Sequence, residues 1–297
     1  MTQVLIVAPL ALDDVTTPAG SYRDELGGSA TYAALAARHF APTAIAAVVG
    51  HDFPPELLTR LDGVDLSRVE RVPGRSFRWV AEHDADGATR TLRNEPGARL
   101  SRDPALGDLS ETFALVGALE PALQERVGQG ARGCHTRSAK LIAIDTMPCY
   151  IDEDAPRLRR AMAGADLAFL TVEESKRLAG SREPERVRMT LGVDILVLKD
   201  GARGATVCDH NGSFDVPAYP VRVVDPTGAG DAFAGAFVAT LCERGARDGD
   251  TLRLATRRGT AAASIAVEDF GPRALERAGS WLIERRADAL GRVEVRS

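Results

Sequence analysis

Short, continuous apolar runs recur along this chain, and helix-like stretches separate several of them. That alternation constrains the fold more than any other feature. Val4 to Ala8 and Thr43 to Val49 read as strands covered on both faces. Phe113 to Val116, Lys140 to Ile144, Leu167 to Leu170 and Ile195 to Leu198 continue the series. Helices are expected at Ser29 to Phe40, Pro54 to Leu61, Arg157 to Ala163, Glu173 to Leu178, Ala232 to Cys242, Leu252 to Ala266 and Ala274 to Leu290. Strands alternating with helices imply an α/β class, with a mostly parallel sheet and helices on both faces. Phe77 to His83 and Thr89 to Arg93 flank Asp84-Ala85-Asp86-Gly87, a hairpin signal outside that core. A second hairpin is expected around Asn211-Gly212.

The bulk numbers exclude several classes. With 297 residues the chain holds one large α/β domain or two small ones. Apolar residues make up 44 %, too many for wholesale disorder, and a net charge of -5 gives no basic field for nucleic acid. No apolar run reaches the roughly 18–20 residues that span a bilayer. Cys134, Cys149, Cys208 and Cys242 are scattered, with no C-x-x-C pair for zinc. A cytoplasmic protein with free thiols is the simple expectation.

Asp225-Pro226-Thr227-Gly228-Ala229-Gly230-Asp231-Ala232-Phe233 carries the chemistry. It follows a strand-like run, Tyr219 to Val224, and opens an apolar helix. Gly228, Ala229 and Gly230 let backbone amides converge at the helix start, an anion site. Asp231 sits inside that site, where a carboxylate beside phosphate is costly. Its job is therefore to take a proton from an attacking hydroxyl. No G-x-x-x-x-G-K-[ST] occurs, and Phe233 stands where a dinucleotide fingerprint needs its third glycine. In open α/β sheets ligands bind beyond the strands' carboxyl ends. Asp13, Asp14, Gly27, Gly28, Asp145, Glu174, Lys199 and Gly201 all fall near such ends.

The run from Asp225 to Phe237 resembles the C-terminal signature of the ribokinase-like (PfkB) carbohydrate kinases, D-x-x-G-A-G-D-x-F, and the resemblance covers nearly the whole chain. It implies a single ribokinase-like domain over 1–297. That fold is a three-layer α/β/α sandwich with a small β lid, here about 13–26 and 75–95. It also implies an ATP-dependent phosphotransferase acting on an alcohol of a small polyol, sugar or cyclitol, with Asp231 as general base and the Gly228-Ala229-Gly230 amides as anion hole. A nucleoside kinase and a non-catalytic nucleotide-binding relative are the alternatives.

Position by position, the resemblance implies Asp13, with Asp14 as runner-up, for the acceptor's hydroxyls, and Gly27-Gly28 for its close approach. Tyr32 stands where ribokinase-type members carry asparagine, which argues against ribose; it could stack on a ring, donate a hydrogen bond, or simply pack. Arg78 or Arg90 of the lid could reach a polar acceptor, or be solvated charges. Thr171-Val172-Glu173-Glu174 matches an N-x-x-E motif with threonine for asparagine, implying that Glu174, or Glu173, helps hold Mg²⁺. Lys199, Gly201 and Gly204 match a nucleotide loop, Thr227 adjoins the phosphates, and Ala262, with Ala263 and Ser264, fits the helix lining the adenine pocket. Asp225 and Val267 to Gly271 lie where relatives often bind a monovalent cation. Relatives often dimerise through their lids, which the row Phe77, Trp79, Ala81 would suit.

Overall fold

Runs that are apolar at every position can be satisfied only inside a sheet with both faces covered. The computed structural model describes residues 2–84, 89–95, 109, 112–132 and 139–294. The chain opens with β1 (Gln3–Val7), β2 (Ala11–Thr17) and β3 (Gly20–Gly27), then α1 (Ser29–Ala37), β4 (Thr43–Gly50), α2 (Pro55–Leu58), β5 (Val64–Val72), β6 (Phe77–His83) and β7 (Thr89–Glu95). It continues through β8 (Thr112–Val116), α3 (Pro121–Arg132), β9 (Leu141–Ile144), α4 (Pro148–Ala163), β10 (Leu167–Thr171), α5 (Val172–Ala179), α6 (Pro184–Leu191) and β11 (Ile195–Lys199). A hairpin of β12 (Ala205–Asp209) and β13 (Gly212–Val216) precedes α7 (Ala229–Arg244), α8 (Gly249–Ala266), α9 (Arg273–Arg277) and α10 (Ser280–Glu294).

Nine strands form one sheet in the order β13-β12-β11-β10-β9-β8-β1-β4-β5. Its pairs are parallel from β11 to β5, and the β12–β13 hairpin adds an antiparallel edge. Successive side chains of β1 split between the two faces, as strand geometry requires. Val4 and Ile6 join a core with α1, α7 and α8, while Leu5 and Val7 join a second core with α3, α4 and α6. This is the expected three-layer α/β/α arrangement. The small second sheet has the order β3-β2-β6-β7 and contains both segments expected to form a lid. Among the described residues, no helix is long and apolar enough to cross a membrane.

α7 is the central helix. Ala232 to Cys242 is buried all round, the pattern of a helix covered on every side. It lies directly against α1, because a Cβ at Gly235 would run into the Ala33 carbonyl.

Several expectations need correction. Asp13 and Asp14 lie within β2 rather than in a loop past β1. Tyr219 to Val224 is not a strand. Pro220 lacks an N–H for a ladder, and β13 already occupies the sheet edge. The segment is instead tied to the end of α8, with Val224 N–H donating to the Val267 carbonyl at 2.8 Å. The helix expected over Ala274 to Leu290 is two helices, with Ala278 extended between them. Strand β5 and helices α3 and α6 went unread, since their apolar positions are too sparse to stand out. The row Phe77, Trp79, Ala81 does not face outward to a partner: Phe77 and Trp79 line an internal cavity and Ala81 is buried. The turn residues 85–88 and the side chains of Arg90 and Arg93 lie outside the described residues.

The α1–α7 contact gives a direct test. Gly235→Val should lower stability by at least about 1–3 kcal/mol, the usual cost of overpacking. Thermal or denaturant unfolding of the variant measures it.

Candidate active site

A cavity of about 200 Å³ opens where the small sheet meets the carboxyl ends of the parallel strands. Two helix N-termini converge on it, those of α1 and α7. Gly28 caps α1 with φ 83° and Gly228 caps α7 with φ 73°. Both conformations lie in the left-handed region that glycine adopts without strain. Their bare Cα atoms also let other groups come close. A Cβ at Gly228 would collide with the Tyr32 ring, and one at Gly27 with the Asp13 carboxylate.

Asp13 reaches the cavity by strand alternation: β2 buries Ala11, Asp13, Val15 and Thr17 and leaves Asp14 and Thr16 less buried. The β2–β3 register shifts where Arg23 and Asp24 of β3 together stand opposite Asp14, so the extra residue lies in β3, where Asp24 has φ 52°. Asp14 is then occupied elsewhere: its Oδ1 accepts from Asp24 N–H at 2.9 Å and from Arg78 Nη1 at 2.8 Å. Asp24 binds the same guanidinium. Asp13 therefore lines the cavity, and Asp14 and Arg78 do not. Asp13 is 2 % exposed, and its Oδ1 has no hydrogen-bond partner among the described residues. Burial pushes its pKa well up, with the Gly28 amide acting against the shift and Asp225 and Asp231 adding to it. A buried carboxylate oxygen with nothing to accept from is what a substrate hydroxyl would satisfy.

On the α7 side, Ala232 N–H makes the first intrahelical bond, to the Gly228 carbonyl at 2.9 Å. Of the amides before it, Ala229 N–H is given to the Pro226 carbonyl at 3.4 Å, and those of Gly230 and Asp231 belong to the helix's first turn. Asp231 stands in that turn, half-buried and lining the cavity. Burial and then Asp145 raise its pKa, Lys199 opposes them, and the result is pushed up to about 7. Lys199 ends β11 and reaches across to the loop; a Cβ on Gly230 would lie 3.1 Å from its Nζ. Nζ donates to Asp145 Oδ2 at 2.6 Å, at the end of β9. Burial works against the Lys199 charge, but Asp145, Glu174 and Asp231 outweigh it and its pKa lies above the ordinary value.

Glu174 completes this group. Its Oε2 accepts from Thr171 N–H at 2.7 Å, while Thr171 Oγ1 accepts from Glu174 N–H at 3.2 Å. This is a capping box, and Thr171 fills the N-cap role that asparagine also serves. Glu174 is 4 % exposed; burial raises its pKa, Lys199 lowers it and Asp145 raises it. Glu173 instead pairs with Arg182 at the surface. Two mutually repelling buried carboxylates beside an anion site form a hard-oxygen donor set that suits a hydrated divalent cation.

The remaining nucleotide candidates divide. Gly201, with φ 53°, is exposed in the turn after β11. Gly204, with φ 103°, is demanded by packing, since a Cβ there would strike the Val216 carbonyl. Ala262 is fully buried in the core, whereas Ala263 beside it is partly exposed. Thr227 lines the cavity, and its N–H donates to Asp225 Oδ1 at 3.0 Å.

The sequence reading passed over some of the cavity's walls. Met147 and Tyr150 join Phe77, Trp79 and Tyr32 in giving it an apolar and aromatic lining. Asp145 was noted only as a strand-end acid. Nothing in its local sequence announces a lysine 54 positions away as its partner.

With this geometry in view, comparison with known proteins identifies the class. The pfkB family carbohydrate kinase model matches residues 4–278, and the chain belongs to that family. It is 27 % identical over 256 residues to a cytidine kinase of Thermococcus kodakarensis, covering 80 % of this chain and 88 % of that one. The fold is that of a Burkholderia thailandensis nucleoside kinase solved with inosine, at TM-score 0.80 and 22 % identity, covering 97 % of this chain and 98 % of the other. A Vibrio cholerae fructokinase bound to fructose, ADP and calcium matches with TM-score 0.77 and 22 % identity, over 96 % of this chain and 98 % of that one. Kinases of this family use ATP with a divalent metal.

The buried ion pair is testable. Lys199→Met should destabilise the protein by about 3–5 kcal/mol, because Asp145 is left buried and uncompensated. Adding Asp145→Asn should restore part of that loss, a non-additivity read from unfolding of the three variants.

Proposed function

We propose that the protein is an ATP-dependent nucleoside kinase that phosphorylates a ribose hydroxyl. The observation that carries this is the cavity's mixed lining. Asp13 and Asp231 line it together with Phe77, Trp79, Tyr150 and Met147, and Trp79 stands beside Asp13 in the small sheet. A free sugar presents hydroxyls nearly all round and would leave the aromatic lining unmatched. A nucleoside has both a polar ribose and a flat base that stacks on aromatic rings. Arg78, which a phosphosugar would want in the cavity, is held by Asp14 and Asp24 and does not line it. The cytidine and inosine named for the relatives support the same reading.

In this mechanism Asp13 accepts a hydrogen bond from the ribose and orients it. Asp231 takes the proton as the hydroxyl oxygen bonds to the γ-phosphorus of ATP. The bond from that phosphorus to the bridging oxygen breaks, and ADP leaves. The Gly228-Ala229-Gly230 amides and Lys199 hold the charge on the moving phosphoryl group. Glu174 and Asp145 would hold the magnesium of MgATP through water, and that ion supplies charge neutralisation at the phosphates. Gly201 and Thr227 border the nucleotide. The small sheet is the lid that excludes water, without which ATP would be hydrolysed.

The base must be ionised to act, so a carboxyl with a raised pKa works above that value and fails below it. The kcat/KM should therefore rise with pH through about 7 and fall roughly tenfold per pH unit below it. Asp231→Asn should lower kcat by about 10²–10⁴-fold with MgATP affinity retained. Calorimetric titration beside a coupled ADP assay separates the two effects, and near-normal turnover would remove Asp231 from the role.

Substrate class is decided by ADP release against nucleosides, pentoses, hexoses and cyclitols. Nucleosides should lead, and Trp79→Ala should raise their KM by at least about tenfold, the loss of one stacking contact. Preference for a free sugar, unaffected by Trp79→Ala, would overturn the acceptor assignment. Nucleotide binding with no turnover on any acceptor would mark a non-catalytic relative.

A further inference from the structure

The small sheet meets the glycine loop at a second place, through His83 and Tyr22, which do not themselves line the acceptor cavity. The inward row of β6 runs Phe77, Trp79, Ala81, His83, alternate residues on one strand face. His83 Nε2 lies 2.9 Å from Thr227 Oγ1 and 3.8 Å from Asp225 Oδ1. From the neighbouring part of the same sheet, Tyr22 donates its hydroxyl to Asp225 Oδ2 at 2.9 Å. Asp225 is fully buried and also accepts from Thr227 N–H and, at 2.9 Å, from Gly271 N–H. The His83 side chain is 2 % exposed. Thr227 immediately precedes Gly228, the cap of α7, and itself lines the cavity. Trp79, which walls the acceptor side, has its ring centroid 6.1 Å from that of His83.

A continuous path therefore runs from the acceptor wall through Trp79 and His83 to Thr227 and the phosphate cradle. Its middle member is polar where hydrophobic filling would have served for stability alone. Burial holds the imidazole below its ordinary pKa, with Asp225 and Asp84 acting the other way. A neutral ring offers one donor and one acceptor, and the Thr227 hydroxyl can use either.

We propose that His83 is a positioning residue for phosphoryl transfer: by engaging Thr227 it fixes the glycine loop in its receiving geometry while the small sheet is seated on it. This rests on the kinase reading given above. His83 touches no reacting atom. It acts on the amides of Gly228 to Gly230, whose direction decides how well they meet charge on the phosphoryl group. Small misplacements matter there, since displacing a reacting geometry by about 1 Å can cost on the order of 10² in rate. Lid seating and cradle order then become one event, so the loop is set for transfer only when the acceptor is enclosed.

The test compares His83→Phe, which keeps a ring against Trp79 but removes both nitrogens, with His83→Gln, whose amide nitrogen stands near the place of Nε2. Thr227→Val and Thr227→Ser form the matching pair. His83→Phe and Thr227→Val should each lower kcat by about 10–100-fold, with KM for ATP and acceptor within about threefold of the original. The double variant should be no slower than the worse single one, and the Gln and Ser variants should recover most of the rate. Amide hydrogen exchange over residues 227–231 should be faster in His83→Phe, whether or not any acceptor is turned over. An unchanged kcat, additive effects in the double variant, or unchanged exchange with only a lower melting temperature would overturn the proposal. If the unaltered protein turned over no acceptor, the kinase reading would fall, and the exchange measurement alone would decide whether His83 orders the loop.

Discussion

The seat of α1 against α7 is the contact on which the site depends. Helices ordinarily pack with their axes 8–10 Å apart, held off by side chains. Gly235 removes that spacer against Ala33, and Gly228 removes it against the Tyr32 ring. The two helix starts are thereby drawn to the rim of a single cavity, each capped by a left-handed glycine. One positive helix end with its free amides makes a weak anion site. At the α7 end Lys199 stands beside Gly230 and strengthens that site, while at the α1 end Ala30 N–H is given to the Pro9 carbonyl at 3.1 Å and the Gly28 amide to Asp13. The nine-stranded sheet supplies rigidity, and the geometry of the cavity's rim follows from these missing side chains.

Charge at this centre is arranged as a set of balanced pressures. Asp145, Glu174 and Asp231 repel one another in a volume with little water, and Lys199 offsets part of that repulsion. Remove the lysine and the acids would shed charge by taking up protons; remove the acids and a buried ammonium would lose its only nearby compensation among them. The result leaves Asp231 with a proton affinity close to that of neutral solution, where a base can both take a proton and release it. The aromatic residues of the lining serve a separate purpose, since they carry no charge and offer shape.

Much of this was legible in the sequence, and the parts that were not have physical reasons. Strands β1, β4, β8, β9, β10 and β11 announced themselves because burial on both faces forces an unbroken apolar run. The glycine loop was readable because its conformation needs glycines at fixed spacing around Asp231. Strands β2 and β3 of the small sheet carry mixed polarity, so Asp13 and Asp14 looked like loop residues. Tyr219 to Val224 had β-branched residues but no free sheet edge to join. Glu174 was recognisable as an acid at a helix start, and it does serve there as a cap. Its neighbours Asp145 and Lys199 come from two other strands, and only the fold brings them together. His83 and Tyr22 belong to the same category, since a long-range hydrogen bond leaves no periodicity behind.

The unbroken alternation of β2 has a consequence for what this lineage can tolerate. Side chains on a strand alternate, so which acid looks inward is a matter of odd or even count from the last regular pair. Asp13 falls on the inner count; Asp14 falls on the outer one, opposite the extra residue of β3, and its carboxylate accepts from Asp24 N–H and Arg78 there. Losing or gaining one residue in this strand would exchange the inner and outer rows along the rest of it, even with every other residue untouched. Length, in this strand, is therefore as much a determinant of chemistry as identity.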